Sequence, residues 1–233
     1  MRRPVLLDLF CGAGGAAMGY HRAGFDVVGV DIKPQPHYPF EFYRLDAVED
    51  FDWITNLRHF DAIHASPPCQ AFTQMSARWR GKGTKADQHP DFLTPTLRGL
   101  RQMDIPWVVE NVPGARSFMP DTITLHGGMF GLGVHRPRLF CSNVLLMVPK
   151  SAQTQHPIGV YGKPDGRTVY KGKSLIRAWK SLEEGSAAMG IDWMDVAELS
   201  QAIPPAYTEF IGQHLMSVVR PAPSHLEGTP SGG

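Results

Sequence analysis

An apolar run that stops at a knot of glycines and leads straight into a helix-like segment constrains this chain more than any other feature. Val5 to Phe10 reads as a buried strand, Cys11-Gly12-Ala13-Gly14-Gly15 as a tight turn, and Ala16 to Ala23 as a helix that Gly24 ends. The alternation continues. Val27 to Val30, Phe42 to Leu45, Asp61 to Ala65 and Ile105 to Glu110 read as further strands, with a later one over Leu139 to Val148. Phe92, Leu93, Leu97, Leu100 and Met103 have helical spacing. Strands alternating with helices imply an α/β fold: a mostly parallel sheet with helices on both faces. Ligands of such sheets bind outside the carboxyl ends of the strands. The residues just past each strand are therefore the ones to read for chemistry.

Four such positions carry polar residues. Pro67-Pro68-Cys69-Gln70 follows the fourth strand, and the double proline stops the ladder and turns the chain, presenting a cysteine. A buried thiol in a turn is the plainer reading of a lone cysteine, but the recurrence at other strand ends favours a functional one. The glycine turn lets backbone approach a ligand, and the helix start behind it favours an anionic group. Asp31 ends the second strand, where a carboxylate accepts hydrogen bonds from a ribose diol, and Asp46 follows the third, within reach of an adenine amino group. A surface turn acid and a helix cap are their structural alternatives. The GxGxxG spacing of a dinucleotide site is absent. Glu110-Asn111-Val112 ends the fifth strand, and a carboxylate there needs a partner. His135-Arg136-Pro137-Arg138 opens a later strand, with two arginines expected on one face.

Composition excludes several classes. With 233 residues and 42% hydrophobic content, one domain or one domain with a small lobe is expected. No apolar stretch reaches membrane-spanning length, and the segment after Met1-Arg2-Arg3 is too short and polar for a secretory signal. Three cysteines without CxxC spacing suggest neither a disulfide scaffold nor a zinc site, and fit a reducing cytoplasm. A net charge of +1 leaves nucleic-acid binding to local clusters. Two exist. Arg78-Trp79-Arg80-Gly81-Lys82-Gly83-Thr84-Lys85 follows the cysteine, and Lys150, Lys163, Arg167, Lys171, Lys173, Arg177 and Lys180 stand against one acid, Asp165. The expected divisions are a core over 1–148, a small irregular segment over 149–193, a C-terminal helix over 194–220 that begins anew at Pro204-Pro205, and a disordered tail over 221–233.

Taken together, these motifs resemble the DNA (cytosine-5) methyltransferase family across nearly the whole chain. Asp8-Leu9-Phe10-Cys11-Gly12-Ala13-Gly14-Gly15 is similar to its first motif, Ala65-Ser66-Pro67-Pro68-Cys69-Gln70 to its nucleophile motif, and Glu110-Asn111-Val112 to its ENV motif. The segment Gly131 to Arg138 resembles its QxRxR motif, with Val134 in place of Gln. Ser200-Gln201-Ala202-Ile203-Pro204-Pro205 resembles its last motif, with Gln201 in place of Asn. Asp31 stands where the family usually has Glu, and the region of the target-recognition domain is short.

The resemblance implies a Rossmann-like methyltransferase of phage or bacterial type, a monomer using S-adenosylmethionine and no metal on cytosine in DNA. Cys69 is implied as the thiolate that adds to C6, Glu110 as the group that holds N3, and Arg136 and Arg138 as nucleotide-positioning cations. Phe10, Gly12, Gly14, Asp31, Ile32, Asp46, Pro68, Gln201 and Ala202 are implied for the cofactor, and Gln70, Asn111, Arg78, Arg80, Lys82 and Lys85 for the substrate. C5 lies inside the duplex stack, so the base has to swing out, at roughly a few kcal/mol. The alternatives are the same chemistry on single-stranded DNA, RNA or a free cytidine nucleotide, and a non-catalytic DNA-binding relative.

Overall fold

The computed structural model describes residues 2–69, 90–150, 157–171 and 174–219. Seven strands form the main sheet: β1 (Val5–Leu9), β2 (Asp26–Asp31), β3 (Glu41–Arg44), β4 (Ala62–Ala65), β5 (Trp107–Asn111), β6 (Ile123–Leu125) and β7 (Arg138–Ser142), in the order β3-β2-β1-β4-β5-β7-β6. The first five in that order are parallel, and β7 runs antiparallel to both its neighbours. The chain reverses direction on either side of β1, and the crevice this opens lies at the carboxyl ends of β1 and β4.

The period-two alternation of strand side chains feeds two apolar layers. Leu7, Leu9, Val30, Ile63 and Val109 face one layer, covered by α2 (Phe51–Asn56) and α3 (Leu93–Leu100) through Ile54, Leu93, Leu97 and Leu100. Leu6, Val27, Ala62, Val108 and Phe140 face the other, covered by α1 (Gly15–Ala23) and the last helix through Tyr20, Tyr207, Ile211 and Leu215. Gly19 makes that helix pair close. A Cβ there would lie 2.1 Å from Thr208 Oγ1.

The segment expected to be irregular holds a second sheet. β8 (Ile158–Gly159), β9 (Thr168–Lys171) and β10 (Ser174–Ala178) align in the order β8-β10-β9. They are followed by α4 (Leu182–Met189), α5 (Val196–Gln201) and α6 (Pro205–Val219). Val134, Ile158, Val160, Trp179, Met189, Ile191 and Leu199 form the core of this lobe, and Ala13 of the glycine turn joins it. The strands escape the sequence pattern because each is short, two to five residues, and too brief to show a period-two alternation.

Other boundaries moved for identifiable reasons. The strand expected to reach Val148 stops at Ser142, because the Asn143 side chain takes over the backbone groups of Ile105 and Trp107. Leu145, Met147 and Val148 are left exposed. The C-terminal helical segment is interrupted as expected at Pro204-Pro205, between α5 and α6, and Pro205 is the first residue of α6. α2, α4 and β6 were not expected from the pattern. The tail over 221–233 lies outside the described residues.

Candidate active site

The glycine turn is built as a ledge. Phe10, just past β1, has φ 57, the left-handed region that a non-glycine residue occupies only under constraint. Cys11 N–H bonds Val30 carbonyl at 3.1 Å and closes the turn. Gly12 has φ +49, and a Cβ built there would meet nothing within 4 Å, so the space above it is open. Gly14 and Gly15 are pressed instead. A Cβ would lie 2.8 Å from Pro39 Cδ at the first and 2.5 Å from the Ile203 carbonyl at the second. The last motif thus folds back against the first, with Ala202 beside Gly15. Trp193 Nε1 donates to Ala13 carbonyl at 2.9 Å from the same side.

Asp31 braces this ledge. Its Oδ2 accepts from Gly12 N–H at 3.1 Å and its Oδ1 from Lys33 N–H at 2.9 Å. Ile32 next to it is 58% exposed, an apolar surface left bare beside an open turn. Asp46 anchors the turn that leads into α2. Its Oδ1 accepts from Val48 and Glu49 N–H at 2.8 and 3.0 Å, within the turn. Pro68 is half-buried and Gln201 is exposed at the end of α5.

At the neighbouring strand ends lies a buried ionic pair. Arg138 Nε sits 2.8 Å from Glu110 Oε1, and both residues are buried. The contact is ionic rather than an aligned hydrogen bond, and it leaves Oε1 without a hydrogen-bond partner. Burial pushes the Glu110 carboxyl above its ordinary range, while Arg138, Arg136 and the Ser66 hydroxyl pull it back. Cys69 is half-buried. Burial first and Glu110 second raise its thiol, and Arg138, its own backbone N–H and Arg136 oppose them. Sulfur and carboxyl are thus near enough to feel one another's charge. Asn111, expected to touch substrate, holds the loop instead. Its Nδ2 donates to Pro67 carbonyl at 3.0 Å and its Oδ1 accepts from Val112 N–H at 2.9 Å.

Arg136 does not share the face of Arg138. It is fully buried, with Nη1 donating to Val160 carbonyl at 2.5 Å and Nη2 to Ser200 carbonyl at 2.8 Å. Tyr207 hydroxyl donates to its carbonyl at 2.9 Å, and its guanidinium lies 5.2 Å from the Tyr161 ring. Burial, with Arg138 second, lowers its pKa to about 9, and the two carbonyl acceptors keep it charged. Arg136 pins the small lobe and the last motif together. The reason lies in the backbone: only Arg138 is inside β7, while Arg136 precedes it and faces the lobe.

Comparison with known proteins places the whole arrangement. The model of the C-5 cytosine-specific DNA methylase family matches residues 5–121, which include the turn, the cysteine motif and Glu110. The chain belongs to that family. Type II methyltransferase M.XorII of Xanthomonas oryzae pv. oryzae is 28% identical over 204 residues, 72% of this chain and 45% of that protein. Type II methyltransferase M.HgiGI of Herpetosiphon aurantiacus is 31% identical over 120 residues, 47% of this chain and 91% of that protein. A solved structure from an E. coli prophage, described as a DNA modification methyltransferase, has a TM-score of 0.61 at 17% identity, covering 93% of this chain and 99% of that one. At that identity it shows the fold alone. The mostly parallel sheet of this chain is the Rossmann-like one expected from its sequence.

Sequence reasoning singled out no role for several buried polar residues near this site. His64, inside β4, is fully buried, with Nδ1 2.9 Å from Tyr20 hydroxyl and Nε2 2.7 Å from Ser66 hydroxyl. Burial lowers its pKa to about 3. A histidine within a fully buried strand was the available signal. Asp8, in register with His64, is also fully buried. Burial first, then Asp31, hold its carboxyl well above the ordinary range. His37 Nδ1 lies 2.8 Å from Glu198 Oε2. Glu198 and Asp195 form the capping box of α5, which accounts for their cluster with His37.

The expected DNA contacts divide. Gln70, Arg78, Arg80, Lys82 and Lys85 lie outside the described residues. In the lobe, Arg177 is paired with Glu184 and Arg167 with Asp165, at 2.5 and 3.6 Å. Lys150, Lys163, Arg167 and Lys180 are exposed. Among the described residues, no helix is long and apolar enough to cross a membrane.

Proposed function

We propose that this chain methylates C5 of cytosine in DNA through a covalent bond between Cys69 and C6 of a base swung out of the stack. The observation that carries this reading is the convergence at one sheet edge of a half-buried thiol, a buried carboxyl–guanidinium pair and an open glycine ledge. A cytosine ring offers N3 and the 4-amino group on one side and C6 on the other. Glu110, with Oε1 lacking a hydrogen bond, suits the first. Cys69, electrostatically coupled to it, suits the second.

The residues fit S-adenosylmethionine as the donor. The ledge over Gly12 admits close backbone approach, the bare Ile32 offers an apolar face to an adenine, and Asp31 stands at the strand end where a ribose binds. S-adenosylmethionine, when bound, supplies an activated methyl group to a nucleophilic carbon. Cys69 makes C5 such a carbon by adding to C6, and it leaves once C5 has lost its proton. Glu110 shares a proton with N3 and so accepts the charge that addition creates. Arg138 keeps Glu110 from sitting as an unpaired buried charge.

The competent state needs a thiolate beside a carboxylic acid. Burial raises both groups, and the Glu110 carboxyl raises the Cys69 thiol further while Arg138 opposes both shifts. Arg138 and the incoming base have to move that balance.

The test is tritium-labelled methyl transfer to cytosine in duplex DNA, compared with single-stranded DNA, RNA and cytidine nucleotides. Activity on the duplex that vanishes in Cys69→Ala, with trapping on a 5-fluorocytosine duplex, is the expected result. Binding without an adduct would leave a non-catalytic relative.

A further inference from the structure

Behind Glu110 runs a line of polar groups that the proposed chemistry does not use. It starts at Tyr20 on α1, whose hydroxyl lies 2.9 Å from His64 Nδ1. It continues from His64 Nε2 to the Ser66 hydroxyl, 2.7 Å away. Ser66 follows Ala65, which pairs with Val109 in the parallel register of β4 and β5, so Ser66 stands beside Glu110, and its hydroxyl favours the charged form of that carboxyl. Tyr20 and His64 are fully buried, so water does not complete their bonding. A buried polar line of this kind persists where every member is satisfied.

Donor arithmetic gives the line a direction. Ser66 has one proton, and it serves Glu110 only if the bond from His64 is donated to it. His64 is neutral near pH 7, since its pKa lies at about 3, and therefore carries one N–H. That N–H is then on Nε2, and Nδ1 accepts from Tyr20. Burial holds the Tyr20 hydroxyl well above its usual pKa, so it keeps the proton it donates. All donors point toward Glu110.

We propose that Ser66 and His64 are positioning residues for Glu110, a one-way chain from Tyr20 that holds a hydroxyl donor against its carboxyl. The proposal rests on Glu110 being the group that meets N3 of the base. It assigns work to residues that touch neither substrate nor cofactor. The charged and titratable groups facing Glu110 are Arg138 and Arg136 around β7, Cys69 after β4, Tyr20 on α1 and Tyr207 on α6. All remain when Ser66 is changed. Ser66 adds a neutral donor whose removal favours the protonated carboxyl.

Two measurements test this. The first is the nitrogen-15 spectrum of His64 in the unaltered protein, identified by its loss in His64→Gln. The Nε2–H tautomer is expected, and the Nδ1–H tautomer would reverse the chain and overturn the proposal. The second is the titration of the Glu110 carboxyl, read by infrared as the band missing from Glu110→Gln. In Ser66→Ala it is expected to move up by about one pH unit, and in Ser66→Thr, which keeps a hydroxyl, to return. The pH–rate profile for methyl transfer should move with it. Coincident titrations in wild type and Ser66→Ala, or equal shifts in Ala and Thr, would refute the role. If the wild-type chain methylates no cytosine, the proposed function fails while both spectra still decide the chain.

Discussion

Two regions of this molecule bury an arginine, and they use it in opposite ways. At the carboxyl edge of the main sheet, Arg138 faces the carboxylate of Glu110. In the small lobe, two residues earlier, Arg136 is surrounded by main-chain carbonyls and an aromatic ring. The first arrangement leaves an acceptor open and tunes two titratable groups. The second satisfies both terminal nitrogens and ties three segments together. A buried charge facing another side chain remains chemically available, whereas one locked to the backbone works as a fastener.

The largest effect expected on this contrast is at the sheet edge. Cys69→Ala should bring methyl transfer to background, a loss on the order of 10⁶-fold if the thiol acts as a covalent nucleophile. Thermal unfolding should barely change. Glu110→Gln should slow single-turnover transfer by about 10²–10⁴-fold with DNA affinity nearly unchanged. Equal losses in rate and affinity would mean that the carboxyl only binds.

The two arginines should then separate by readout. Arg138→Ala leaves a buried carboxylate unpaired and should destabilise the fold by about 3–5 kcal/mol. It should also raise the Glu110 carboxyl, since Arg138 is the first group holding it down. Arg136→Met should leave the carbonyls of Val160 and Ser200 unpaired, at about 1–3 kcal/mol each. Its amide exchange should quicken in β8 and α5 before β1 or β4. The same pattern from both variants would erase the distinction.

Protons offer a finer test. His64 has its folded pKa lowered to about 3, below its unfolded value, so the unfolded chain binds more protons in that window. Stability is full above about pH 6.5 and falls by roughly 1.4 kcal/mol per pH unit below it. The raised carboxyls of Asp8 and Glu110 act in the opposite sense, so urea titrations from neutral to acid pH should show the His64 contribution as the difference between wild type and His64→Gln. The smallest effect belongs to the lobe surface. Lys163→Ala and Arg167→Ala should each weaken duplex binding a few-fold and reduce the salt slope by about one. Unchanged slopes would make the lobe a structural prop.

Much of this was legible in the chain itself. Strand–turn–helix alternation implies the sheet, and the ends of β1, β4 and β5 hold the glycine ledge, Cys69 and Glu110, because local sequence terminates strands where prolines, glycines and polar residues stand. Two arginines in RPR read alike, however. Only the end of β7, between them, decides which meets Glu110 and which meets the lobe. The small sheet escaped because its strands are too brief to show a period-two alternation.

The sequence alone determined which reactive groups the chain carries and at which strand ends they emerge, since those depend on neighbours a few residues away. Tertiary structure alone decided which groups stay chemically open. Asn111 became a brace and Arg136 a pin, while His64 and Ser66 came to stand behind Glu110. The physical reason is that hydrogen-bond partners and burial are set by long-range packing, and these decide whether a polar side chain is consumed by the fold or left for a ligand.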